Sequence, residues 1–208
     1  MDDIRQKRIL SLVRRVNQFR RRQRQKIDIL CNDIVGTHDN FLENLRSLKF
    51  AADFYEELLG LKNIDDIVEA AGNFFKLHIP NTSSAIVLSD SNHSEFFNFP
   101  GNERLEKLGD FLSEPIDKSI VRAVCESNKV CNLHELYGFG LLASPAIMKK
   151  LSLAAMSLRD IPGVEAMVLF YRESENRLRN SELSRAASVM PGLAKAIRLC
   201  RQPSVRVS

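Results

Sequence analysis

No stretch of the 208-residue sequence approaches the ~20 consecutive apolar residues that a membrane-spanning helix needs, which argues against a membrane protein. The opening residues, Met1, Asp2 and Asp3 followed by Arg5, Lys7 and Arg8, lack the apolar core of a secretion signal, so a cytoplasmic protein is expected. Cysteine is scarce. Cys31, Cys125, Cys131 and Cys200 are scattered without a framework, which suits structural free thiols in a reducing compartment better than disulfides. Internal repeats and low-complexity segments are missing as well, as are the G-x-S-x-G, Walker and zincin spacings. His38, His78 and His93 have no carboxylate or hydroxyl partner at a useful spacing. The chain reads as a non-enzyme without a cofactor or a metal.

What is present is an ordinary globular composition, 44% hydrophobic and 27% charged, with the positive charge gathered at one end. Residues 1–26 hold ten Arg or Lys against Asp2 and Asp3, a net of +8, so the rest of the chain carries −4 of the overall +4. Three readings of this head stay open: a solvated helix face, a nucleic-acid contact, or a docking surface for an acidic protein partner. Its contact residues would be Arg14, Arg15, Arg20, Arg21, Arg22, Arg24 and Lys26. Interleaved aromatics of the kind that stack on single-stranded bases are absent, with only Phe19 nearby.

From Ile9 to Leu59 apolar residues recur every three or four positions, which lays one narrow stripe along a helix of roughly 75 Å if it is continuous. Gly36-Thr37-His38-Asp39 is its weak point, since a glycine costs only ~1 kcal/mol in a helix. Such a stripe needs a partner to cover it, and self-association is the simplest. The expected homodimer interface is Ile27, Leu30, Ile34, Phe41, Leu45, Leu48 and Tyr55.

Gly60 and Leu61 read as a helix stop and Asn63 as the cap of a new helix, which divides the chain into a helical or coiled-coil segment 1–60, a domain 61–201 and a polar tail 202–208. Within the domain the pattern predicts a helix ending before Pro80 and a hairpin of strands 84–89 and 95–99. Helices 103–112 and 116–127 follow, then a strand 129–136 and a loop 137–150 with a short helical turn at Ser144-Pro145. Strands 151–158 and 164–171 and a helix from Asn180 to about Arg201, kinked at Pro191-Gly192, complete it.

The segment 120–133 (IVRAVCESNKVCNL), the pair 153–159 (LAAMSLR) and 163–169 (GVEAMVL), and the closing helix 180–197 together resemble the GAF domain family over about residues 61–200. Ser157 stands where that family often has Pro and Ala166 where it often has Gly, and the cyclic-nucleotide signature Asn-Lys-x-Phe-x-x-x-Asp-Glu is missing. The resemblance implies an α+β fold, a central antiparallel sheet flanked by helices, here preceded by the long helix. It further implies a regulatory or sensory module that binds a small molecule of unknown identity or a protein partner in signal transduction. The ligand would touch Phe97, Phe99, Cys131, Leu133, Tyr137, Phe139, Leu141 and Ser157.

Three chemical motifs are weaker. Gly138-Phe139-Gly140-Leu141-Leu142-Ala143 fits G-x-G-x-x-A, but the preceding strand is polar and Pro145 sits where the helix should run. Cys131-x-x-His134 on a strand would point its ligands to opposite faces. Cys125 and Cys131 resemble the paired thiols of GAF-type free-methionine sulfoxide reductases, although residues 145–150 lack the cysteine those enzymes carry there. A nucleic-acid-associated factor using residues 5–26, and that reductase, are the two alternative functions.

Overall fold

The computed structural model describes residues 2–90, 93–114, 116–142, 144 and 149–201, with side chains described for all of these except 2–14, 103, 104, 108, 110 and 111. The expected turn begins at Ser144 but from Pro145 it lies, like the tail 202–208, outside the described residues. The chain forms two units, Met1–Leu48 and Lys49–Ser208.

The first unit is helix alone. α1 (Asp2–Leu58) passes through Gly36 without a break, and the Thr37 hydroxyl donates to the Asp33 carbonyl at 2.7 Å, so the turn there stays hydrogen-bonded. Ile27, Leu30, Ile34, Phe41, Leu45 and Leu48 are all exposed, between 46% and 68%.

The second unit takes in the end of α1, because Phe50, Phe54 and Leu58 are buried in its core. This is further upstream than the division at residue 60 suggested by the helix stop. The stop itself is present: Gly60 adopts φ +84°, and the Leu61 amide bonds back to Leu58. α2 (Ile64–His78) then begins at Asn63. That residue occupies the cap position without capping, since its amide donates to the Asp66 carboxylate at 3.0 Å.

A five-stranded antiparallel sheet forms the middle layer, in the order β2-β1-β5-β4-β3. Its strands are β1 (Ser83–Ser89), β2 (Ser94–Phe99), β3 (Cys131–Asn132), β4 (Leu151–Leu158) and β5 (Glu165–Glu173). β1 is buried at every position because it lies between two strands and under helices on both faces. Alternation along the strands assigns the faces. Ile86, Leu88, Met156, Leu158, Val168 and Phe170 meet α2, the end of α1 and α6 (Asn180–Arg201). Ala85, Val87, Leu153, Ala155, Leu169 and Tyr171 meet α3 (Glu103–Ser113), α4 (Lys118–Ser127) and α5 (Leu133–Gly138).

Aromatic rings knit the first layer. Phe54 stacks on Phe75 with centroids 5.4 Å apart, and Phe75 meets Phe170 edge-on at 5.1 Å. Glycines permit close approach in this layer: a side chain at Gly72 would overlap the Phe99 ring, and one at Gly192 the Tyr55 ring. Tyr55, expected at a dimer seam, thus packs within its own unit while staying 41% exposed. α6 runs as helix through Pro191.

The buried Arg172 lies one residue before the end of β5. It pairs with Glu182 on the first turn of α6 and donates to the carbonyls of Arg177, at 2.8 Å, and Pro80, at 3.4 Å. One side chain thereby ties the sheet to the start of the closing helix.

One element departs from expectation. Residues 129–136 are not a strand: pairing stops after Cys131–Asn132, and α5 begins at Leu133. The cause is a capping box. Asn132 Oδ1 accepts from the amides of His134 and Glu135, while the Glu135 carboxylate accepts from the Asn132 amide at 2.8 Å.

Candidate functional site

The same capping box positions a cavity. α5 lies across the starts of β4 and of the β5–α6 connection, and a space of about 560 Å³ opens between them, bounded by Leu133, His134, Tyr137, Leu151, Leu153 and Arg177. Its walls are apolar below, from Leu133 and the β4 leucines, and cationic at the rim, from Lys149 and Arg177. Glu135 holds α5 in place from outside: the Lys129 ammonium bonded to it and the Asn132 amide keep its carboxyl below the ordinary range.

Of the eight residues expected to touch a ligand, Leu133 and Tyr137 line this cavity. Cys131 and Leu141 are buried in the layer beneath α4 and α5, and Phe139 packs against that layer. Phe97 and Phe99 are on the other face of the sheet, among the residues packed with α2 and α6. Ser157 lines a separate cavity of about 500 Å³ between the end of β4 and α6. The structure therefore brings two of the eight to one cavity and distributes the rest among core and groove. The signal for this arrangement in the sequence was Asn132-x-x-Glu135, a capping box that starts a helix where the apolar alternation suggested a strand.

Burial pushes the Cys125 thiol above its ordinary pKa, while its proton is donated to the Ala166 carbonyl at 3.3 Å. Cys131 is fully buried, its sulfur 3.0 Å from the Ser127 hydroxyl. His134, in α5 and not on a strand, has no hydrogen bond from its ring among the described residues. No group of three or more His, Cys, Asp or Glu able to hold a metal occurs among the described residues. None of their helices is long and apolar enough to cross a membrane. At the other end of the chain, Arg15, Arg20, Arg21, Arg22, Arg24 and Lys26 are all exposed, and the side chain of Arg14 lies outside those described.

No protein-family model matches the chain, and no curated protein matches it. Solved structures do. The GAF domain of a phosphoenolpyruvate-protein phosphotransferase from Coxiella burnetii aligns with a TM-score of 0.52 at 12% identity, covering 74% of this chain and 93% of that one. The GAF domain of an Acinetobacter phosphoenolpyruvate-protein phosphotransferase gives 0.51 at 14% identity, with coverages of 73% and 92%. The second unit has a GAF-like fold. At such identities the likeness of this GAF-like domain to those structures is one of architecture.

Proposed function

We propose that this chain is a non-catalytic regulatory module of signal transduction, in which two copies pair along α1 and the GAF-like domain takes up a small ligand or docks a partner protein. The observation that carries this reading is the bare stripe of α1. Ile27, Leu30, Ile34, Phe41, Leu45 and Leu48 share one narrow side of a helix and are all exposed. A contiguous apolar stripe of this kind marks an interaction surface. Burying each side chain is worth about 1.5–3 kcal/mol, enough in sum to outweigh the cost of association. The cavity beside α5 supports the ligand half of the proposal, being within the ~300–1,000 Å³ range of small-molecule sites. Four free thiols suit a reducing compartment such as the cytoplasm.

Sedimentation equilibrium tests the pairing. The wild type should run at twice 23.6 kDa, and the double variant Leu45→Glu, Leu48→Glu at one, since charges buried without partners are prohibitive in a seam. A wild-type monomer at high micromolar concentration would overturn the reading.

The exposed arginines of the head support a second reading, a nucleic-acid-associated factor. Affinity for duplex DNA or RNA that falls steeply with salt, and that disappears when residues 1–26 are deleted, would favour it. The reductase alternative has less support, because a nucleophilic thiol needs a lowered pKa and that of Cys125 is raised. Function retained after Cys125→Ser and Cys131→Ser together would dispose of it.

A further inference from the structure

The groove that holds Ser157 has a chemistry of its own. β3 pairs only with Ala154 and Ala155, so from Met156 onward β4 has no strand on that side. The turn after α4 (Asn128, Lys129, Val130) and the face of α6 from Ala187 to Arg198 border the opening instead, leaving the space of about 500 Å³.

Four cations line it: Lys129, Arg159, Lys195 and Arg198. Lys129 is engaged by Glu135. The other three make no ion pair among the described residues, and Arg159 reaches only the Ser157 hydroxyl, at 3.4 Å. Asp160 is the single acid in the lining. Arg198 is the most telling of them, because its Nε is shut off from solvent and has no hydrogen-bond acceptor. A buried guanidinium donor left unmatched is unfavourable, and placing the unpaired Arg159 and Lys195 in the same lining adds repulsion. The lining also has an apolar part, from the buried Met156 and Met190 and from Pro191.

We infer that this groove is a binding site for a phosphorylated small molecule with an apolar or planar body, its phosphate held by Arg159, Lys195 and Arg198. Three unpaired cations against Asp160 leave an excess of two positive charges, which matches a phosphate monoester near neutral pH. Guanidinium forks present paired donors to phosphate oxygens, and the arginine Nε is one of those donors. Two methionines supply an adaptable, polarizable floor for the body of the ligand. The inference is independent of the ligand reading at α5, which concerns a different cavity.

Amide NMR titration of the full chain with phenyl phosphate tests it, with inorganic phosphate and benzoate as comparators. Saturable shifts should concentrate at residues 156–160 and 187–198, with phenyl phosphate bound more tightly than either comparator. Lys195→Gln, a change at an exposed position that leaves the fold intact, should weaken binding about tenfold. Arg198→Met removes the unmatched donor and keeps an aliphatic stem; it should abolish binding while leaving the unliganded melting temperature unchanged or higher. The inference fails if phenyl phosphate gives no saturable shifts, if they cluster instead around Leu133 and Tyr137, or if both variants bind as the wild type does. Equal affinity for benzoate would overturn the assignment to phosphate, and a lowered melting temperature in Arg198→Met would show that the guanidinium serves the fold instead.

Discussion

Along one unbroken helix, Ile34, Phe41, Leu45 and Leu48 stand exposed while Phe50, Phe54 and Leu58 are buried. The spacing of apolar residues is the same in both stretches. What differs is the surroundings: at Phe54 there are Phe74 and Phe75 from α2 to close around the ring, and in the unit that ends at Leu48 there is only helix. An amphipathic period therefore reports that a face must be covered, and says nothing about whether the cover comes from the same chain. Most of a helix's stability in a protein comes from that packing, so the two stretches should respond very differently to truncation.

Placing the variants in the Leu45→Glu, Leu48→Glu background, where pairing is removed, sharpens the contrast. Phe54→Ala should cost about 3–5 kcal/mol in a thermal or denaturant melt, because it opens a cavity beside the rings of Phe74 and Phe75. Phe41→Ala should change stability by less than about 0.5 kcal/mol, as an exposed position does. Similar losses at the two positions would break the comparison and mean that residue 41 is covered by its own chain.

Within the compact unit the next largest effect belongs to Arg172. Truncation to Ala leaves the Glu182 carboxylate without its buried partner, at a cost of about 3 kcal/mol, whereas replacing both residues by Met should cost far less. Chemical denaturation of the single and double variants checks this, and equal losses would show that the arginine acts through its carbonyl contacts alone.

The smallest effect is at the cap of α4. The Ser119 hydroxyl and the Ile120 amide, both bonded to the Asp117 carboxylate, hold its pKa below the ordinary 3.8. A depressed folded pKa contributes stability that is present above 3.8 and lost as the pH falls through the folded value. Asp117→Asn keeps the cap, since Asn is equally favoured there, and should flatten this acid limb while shifting neutral stability by a few tenths of a kcal/mol. Melts between about pH 5 and pH 2 measure the difference.

Much of the fold was legible in the sequence. The apolar runs at 84–89, 151–158 and 164–171 lie in β1, β4 and β5 apart from Val164, which just precedes β5; Gly60 ends a helix, and the closing helix follows Asn180. The candidate site was less so, for reasons of geometry. Phe97 and Phe99 alternate as strand residues should, but alternation alone does not tell which of the sheet's two faces they share, and they are packed with Ile86 and Leu88 against α2 and α6. Cys131 and Leu133 alternate as strand residues do, over a run too short to fix the period, and here Asn132 and Glu135 decide for helix. The basic groove could not be read at all. Lys129, Arg159 and Arg198 come from three separate connections and helices, and only tertiary packing makes them neighbours.

The order of strands has a consequence for the birth of the fold. β1 lies between β2, which follows it at once, and β5, whose first residue pairs with Ser89 from position 165. As the chain emerges during synthesis, the hairpin of β1 and β2 exists long before β5 does, with the inner edge of β1 and its apolar faces still unsatisfied. Contacts so distant in sequence make for slow folding and for an interval of vulnerability to wrong pairing. Ribosome-bound chains stopped before residue 165 should accordingly engage holdase chaperones, and chains released past Arg201 should escape them.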